Sequence, residues 1–470
     1  MIDTFAIRCN VLKIAFSGQL SQHEVEDGAI DDFLKRVNPN REIKQSEAGP
    51  YEIPENWAWV KLEDLYEINP KVEAADDTDA AFIPMERISA GFSDSFTFEV
   101  QKWSAASKNH TRFADGDVAF AKISPCFENR KSFIATGLPN GIGGGTTELI
   151  ILRQKEMLPR FTYYVTLDQR FIHEGVASYK GTVGQQRVKS DVIKNYMVAV
   201  PPKEEQQRII EKIESIFSAL DTIDTLQSQY QDNLATLKSK IIDAGIQGKL
   251  TEQLPEDGNA EELYQQIQRE KLALEKAGKI KKSKPLPPIS DEEKPFDIPD
   301  NWKWVRLADV YEINPKVNAD DNINAAFIPM ERISAGFDRS FSYVVQKWSE
   351  ASKNHTRFCD GDVAFAKISP CFENRKSFVV ENLPNSLGGG TTELIILRQK
   401  LIDPLFTYYL ILDERFIRLG LSTYKGTVGQ QRIKNDVMFA YVFPLPPLAE
   451  QKRIVAKLEE LLPLCEKGQS

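Results

Sequence analysis

The sequence predicts an α+β protein: two near-identical mixed α/β domains separated by a pair of long antiparallel coiled-coil helices, with pseudo-two-fold symmetry. Three observations lead there. One long unit is written twice, a heptad-patterned helix lies between the copies, and the two termini together resemble a second such helix.

The repeat is legible residue by residue. Asn56-Trp57-Ala58-Trp59-Val60 returns as Asn301-Trp302-Lys303-Trp304-Val305, an offset of 245 that holds without a gap to Pro201-Pro202 against Pro446-Pro447. Over residues 57–155, 77 of 99 positions are identical, and Asp115–Phe133 recurs letter for letter as Asp360–Phe378. Two long copies mean two complete domains rather than a solenoid of short repeats. They are placed at 51–200 and 296–445. Within the first, Trp57–Leu62, Asp117–Ile123 and Glu148–Arg153 read as strands and Arg160–Gly175 as a helix. Trp57, Trp59 and Trp103 read as core.

Each copy ends in Pro-Pro and a related helix start, Glu205-Gln206-Gln207-Arg208-Ile209 and Glu450-Gln451-Lys452-Arg453-Ile454. From Ile213, the positions Ile216, Leu220, Ile223, Gln227, Tyr230, Leu234, Leu237 and Ile241 follow at alternating steps of three and four, a seam that needs a partner helix. Such a helix over 205–244, within a connector at 201–250, would span ~60 Å. Asp243–Leu250 resembles Lys13–Leu20 at an offset of 230, so residues 1–20 match the second half of this connector and 446–470 the first. End to end they rebuild a second helix, with Pro463 expected to kink or end it. In 251–295, Ala260–Ala277 reads as a helix, and Lys281-Lys282-Ser283-Lys284-Pro285 belongs to an extended linker.

Composition bounds the function. A chain of 470 residues, 41% hydrophobic and 27% charged, can bury sizeable cores. With no apolar run long enough to span a bilayer, a cytoplasmic protein with no membrane partner is expected. Five cysteines without a CxxC pair predict reduced thiols and no zinc. The net charge of -9 opposes a free-standing nucleic-acid binder unless basic groups cluster or a partner supplies positive surface.

The Ile-Pro-x-Asn-Trp-x-Trp-Val entrances (Ile53–Val60, Ile298–Val305), the Pro-Pro plus Glu-Gln-x-Arg-Ile helix starts, and Gly248-Lys249-Leu250 after the helix resemble the specificity subunit of type I restriction-modification systems. The likeness covers essentially the whole chain. It implies two target-recognition domains, double-stranded DNA as ligand, two modification subunits that methylate adenine with S-adenosylmethionine, and restriction subunits that use ATP and Mg. It also implies that Glu205, Gln206, Arg208, Glu450, Gln451 and Arg453 belong to the modification-subunit interface; a merely charged first turn is the alternative. No cofactor, metal or catalytic residue is expected in this chain. Asn69-Pro70-Lys71 and Asn314-Pro315-Lys316 are the nearest fragments to an adenine-methylation motif, and no GxxxxGK[ST] appears.

DNA contacts are argued from chemistry. Lys122, Ser124, Asn129, Arg130 and Lys131 follow a strand-like run and offer the donors that read guanine, adenine and phosphate. Their copies are Lys367, Ser369, Asn374, Arg375 and Lys376; a buried structural turn is the alternative. Lys180, Thr182, Gln185, Gln186 and Arg187, copied as Lys425, Thr427, Gln430, Gln431 and Arg432, lie on a glycine-containing segment that reads as a DNA-facing loop or a structural hairpin. Four basic groups (Lys180, Arg187, Lys189, Lys194) face one acid, Asp191, over 178–195, a local cluster of the kind the net charge demands. Gly143-Gly144-Gly145 reads as a permissive turn or a backbone contact to phosphate, and His110 and His355 lack ligand-like spacing.

Overall fold

The computed structural model describes residues 1–24, 27–37, 49–182, 185–280, 286–427 and 429–465. The predicted Lys281–Pro285 linker segment, Val183, Gly184 and Val428 lie outside these. The chain divides into two compact units, 1–227 and 228–470.

In the first unit, ten strands form three sheets: β1 (Ala58–Lys61), β2 (Tyr66–Ile68), β3 (Asp79–Ile83), β4 (Glu99–Lys102), β5 (Thr111–Ala114), β6 (Val118–Ala121), β7 (Ser132–Ile134), β8 (Ile142–Gly145), β9 (Leu149–Gln154) and β10 (Met197–Val200). One sheet has the order β2-β9-β6-β7 and is antiparallel throughout. The other runs β4-β3-β8-β5, with β3 and β8 parallel. β1 and β10 pair antiparallel, Ala58 opposite Val200, and so clasp the start of the domain to its end. Before the domain come α1 (Thr4–Phe16) and α2 (Ile30–Val37); within it lie the single turns α3 (Leu62–Leu65) and α4 (Trp103–Ala106), then α5 (Pro159–Leu167), α6 (Gln169–Ala177) and α7 (Ser190–Asn195). The predicted helix Arg160–Gly175 is therefore two helices. Asp168 breaks it with ψ 137°, outside the helical range. Trp57, Trp59 and Trp103 are buried core residues, as their setting predicts.

The glycine run is a strand, not a turn. Gly143–Gly145 occupy β8 between β3 and β5, and a Cβ on Gly144 would lie 1.8 Å from the Ala106 carbonyl oxygen. These glycines let a helical turn press onto the sheet, and all three are buried, away from any phosphate.

The connector is α8, a continuous helix from Lys203 to Ile246. In the first unit its early turns bury Ile209, Ile213, Phe217 and Leu220, and α1 packs on it antiparallel: Arg8 pairs with Asp221 and Asp224, while Lys212 donates to the Leu20 carbonyl.

The second unit repeats the plan with β11 (Lys303–Arg306), β12 (Glu312–Ile313), β13 (Asn324–Ile328), β14 (Val344–Lys347), β15 (Thr356–Cys359), β16 (Val363–Ala366), β17 (Ser377–Val379), β18 (Leu387–Gly390), β19 (Leu394–Arg398) and β20 (Val442–Leu445). Its helices are α9 (Ala260–Lys276), α10 (Leu307–Val310), α11 (Trp348–Ala351), α12 (Pro404–Leu412), α13 (Glu414–Ser422), α14 (Asn435–Phe439) and α15 (Leu448–Leu461). α15 packs on the last turns of α8, where Gly245 faces Ile454 and Leu458. Pro463 falls in a 3-10 turn that follows α15, so the helix ends where the proline demands. The second helix of the predicted pair is thus two pieces, α1 packed on α8 within the first unit and α15 packed on it within the second. Between them the seam residues Tyr230 and Leu237 are exposed.

Candidate nucleic-acid interface

The two segments singled out for DNA contact converge in each unit. Strand β6 runs out at Ala121, and Lys122 leads into a tight turn that returns at Lys131. The described ends of the hairpin segment pair: Lys180 and Arg187 exchange backbone hydrogen bonds of 3.1 and 2.9 Å. The hairpin docks on the turn, since the Ser124 amide donates to the Gln186 carbonyl (2.8 Å) and the Val188 amide to that of Lys122 (2.9 Å). In the second unit the Ser369 amide donates to Gln431 (2.8 Å) and that of Ile433 to Lys367 (3.1 Å).

This contiguous face exposes Lys180, Thr182, Gln185 and Arg187, with Lys122 and Gln186 half-buried; Lys425, Thr427, Gln430, Arg432, Lys367 and Gln431 sit likewise. Arg187 forks onto the Glu148 carboxylate (2.7 to 3.1 Å) and Arg432 onto Glu393, which fixes each guanidinium as a planar donor. Hydrogen bonding to the carboxylates raises Arg187 and Arg432 above the ordinary arginine value, and Arg432 holds the Glu393 carboxyl below the ordinary carboxylate range. Sequence reasoning missed Glu148 and Glu393, because an acid 39 residues away gives no local signal.

Other candidates are occupied within the chain. Ser124 donates to Glu128 (3.0 Å) and Ser369 to Glu373 (2.9 Å); Lys131 donates to the Met85 carbonyl and Lys376 to that of Met330. Asn129 and Asn374 are exposed at the turn's apex. Arg130 does not sit on the surface: it is buried, donates to the Leu167 carbonyl (2.9 Å) and to Gln169, and stacks on Phe5 and Phe92. Arg375 pairs with Glu414 and stacks on Phe337. Neither arginine is free to read a base, because extracting it would cost those bonds and leave their partners unpaired.

The helix-start residues also change role. Glu205 and Gln206 are wholly buried. Glu205 accepts from the Trp57 indole (3.0 Å), Asn56 (3.2 Å) and Ser21 (2.7 Å); Gln206 donates to the Pro201 carbonyl and accepts from the Leu158 amide. Glu450 takes the Trp302 indole (2.7 Å), and Gln451 donates to Pro446. Arg208 forks onto Asp27, and Arg453 onto Asp257. These six residues weld each helix to its own domain, so the four buried ones are not a surface for a partner. The charged start of the helix hid this, since burial of a carboxylate depends on donors from distant segments.

His110 bonds the Ala106 carbonyl through Nδ1 and lies against Phe82, a packing role that His355 repeats. Among the described residues no helix is long and apolar enough to cross a membrane.

Each of the two duplicated domains places a compact polar face where a turn meets a hairpin segment, and each is joined to the long helix α8. Residues 54–230 and 299–468 match the family described as type I restriction modification DNA specificity domain, and the chain belongs to this family. It is 30% identical to the type I restriction enzyme EcoAI specificity subunit of Escherichia coli, covering 99% of this chain and 90% of that one. Identity to the EcoEI specificity subunit of the same organism is 28%, over 100% and 91%. A solved chain from a study of type I restriction-modification complex assembly and conformational transition shares the fold, with TM-score 0.59 and 18% identity over 89% of this chain and 93% of that one.

Proposed function

We propose that the chain reads a bipartite duplex DNA target, one half-site per domain, and positions two modification subunits on it. The observation that carries this reading is the convergence, in both copies, of the 122–131 turn and the 180–187 hairpin into one face rich in lysine, glutamine and asparagine. Gln185, Gln186 and Asn129 offer the paired donor and acceptor that suits adenine, while Lys122, Lys180 and Lys189 suit guanine or phosphate. Methyl transfer from S-adenosylmethionine belongs to the modification subunits, and ATP- and Mg-dependent cleavage to restriction subunits. The complex works in the cytoplasm.

Because the hairpin and turn are identical in the two copies, both domains read the same short sequence, and with the two-fold arrangement expected from the sequence the target is a palindrome interrupted by a spacer. Single-molecule mapping of methylated adenines tests this: two reverse-complementary half-sites are expected, and an asymmetric motif refutes it. With a net charge of -9, the chain should bind DNA tightly only with its modification subunits. Replacing Lys180 and Lys425 by Ala in that complex should lower the salt slope of binding by about one per lost phosphate contact without changing preference.

A further inference from the structure

Arg130 is the best-anchored member of the turn, yet it points away from the face that would meet DNA. Its backbone is left-handed (φ 54°), as is that of Arg375 (φ 53°), a conformation that costs a residue with a Cβ and persists only where side-chain contacts enforce it. Beside the Leu167 carbonyl and Gln169 of the domain itself, part of that enclosure comes from the spacer helices, directly from α1 and through Phe92 from α8. Phe5 of α1 lies 4.9 Å from the Arg130 guanidinium, Phe92 lies 5.3 Å from it on the other contact, and Phe92 in turn packs on Phe217 of α8 at 5.5 Å. The Gly91 amide donates to the Asn129 carbonyl (2.8 Å), so the loop that touches the spacer also holds the residue at the apex. In the second unit Arg375 stacks on Phe337 at 5.2 Å, Lys238 of α8 lies 5.8 Å from the same ring, and the Gly336 amide holds the Asn374 carbonyl at 2.8 Å.

We infer that Arg130 and Arg375 are positioning residues: each fixes the exposed asparagine before it against its spacer helix, and neither touches DNA. The inference rests on the base-reading role proposed above. It predicts that residues on the side of these helices, remote from DNA, control the sequence preference of their own domain alone.

The test uses the full complex with modification subunits and a library of sites mismatched in one half or in both. Arg130→Gly keeps the left-handed turn without steric cost but removes the anchor. It should relax discrimination about tenfold on sites mismatched in one half, which the altered domain can take, and leave sites mismatched in both halves rejected by the second domain. Phe5→Ala and Phe92→Leu should give the same pattern. Gln169→Glu installs the second unit's ion-pair partner and should keep wild-type preference. Should Arg130→Gly relax discrimination while Phe5→Ala and Phe92→Leu do not, Arg130 contacts DNA itself and the inference is overturned. A uniform fall in binding to all sequences, with discrimination intact, overturns it as well. A wild-type complex that does not discriminate at all would instead mark failure of the base-reading proposal.

Discussion

The same arginine, in the same ten-residue block, lives differently in the two units. Arg130 is 4% exposed, under Phe5 and beside Cys9 of α1. Arg375 has a side chain 17% exposed and borders a cavity of ≈ 720 Å³ lined by Ala235, Ser239, Asp243 and Arg415. At the offset of 230 that relates the helix halves, Ala235 and Ser239 stand where Phe5 and Cys9 stand in the first unit. Where the first unit has the Phe5 ring the second has the methyl group of Ala235 beside a cavity, and Glu414, in place of Gln169, forms an ion pair with Arg375. The turn and the hairpin segment have stayed identical, while positions that border the helices, Gln169 against Glu414 and Asp94 against Arg339, have changed.

A second contrast shows drift with compensation. In the first unit Arg160 of α5 bridges Asp94 of the loop and Glu214 of α8. In the second unit the equivalent positions are Leu405, Arg339 and Glu459, and Arg339 pairs directly with Glu459 at 2.6 Å. The cation has moved from helix to loop while the anchor on the connector helix has kept its acid.

Where the units agree, the comparison should break hardest. Glu205→Ala and Glu450→Ala each leave a buried indole and further donors unpaired, so each should destabilise its own unit by about 3–5 kcal/mol, measured by denaturant unfolding. Effects differing by more than half of that would show that the two welds are not equivalent. Next in size, Ala235→Phe should fill part of the cavity and raise the stability of the second unit by about 1 kcal/mol, while Phe5→Ala costs the first unit a similar amount. A destabilised Ala235→Phe variant would show that α8 cannot admit the ring.

The swapped bridge calls for a double-mutant cycle. Asp94→Arg and Arg160→Leu alone should each cost about 0.5–1 kcal/mol, both groups being partly exposed, and the double variant, which recreates the second unit's chemistry, should recover most of the loss. Simple additivity would reject the compensation.

The smallest effect concerns pH. Arg208 holds the Asp27 carboxyl below the ordinary carboxylate range, and Arg453 does the same for Asp257. A depressed folded-state value contributes stability that is fully present above the unfolded value near 4 and is lost as pH falls through the folded one. Asp27→Asn and Asp257→Asn should therefore lower the melting temperature at pH 7 by a degree or two, and the difference should vanish in strong acid. A gap from wild type that persists there would mean the two latches do not titrate as described.

The sequence by itself determined that there are two domains, because near-identity at a fixed offset has no other physical reading. It also determined the long helix, whose apolar period of three and four marks the face buried at its ends though not at Tyr230 and Leu237, and the likeness of the termini to that helix, seen in Lys13–Leu20 against Asp243–Leu250. Tertiary structure decided which polar residues are spent. Arg130 and Glu205 have the composition of a binding surface, yet both are buried because Phe5, Gln169, Trp57 and Ser21 reach them from far along the chain. It also turned the glycine run into a strand, since only the packed Ala106 carbonyl shows why no side chain fits there. Periodicity and repetition are local and additive, so sequence carries them; burial of a charge depends on donors tens or hundreds of residues away, and those meet only in the fold.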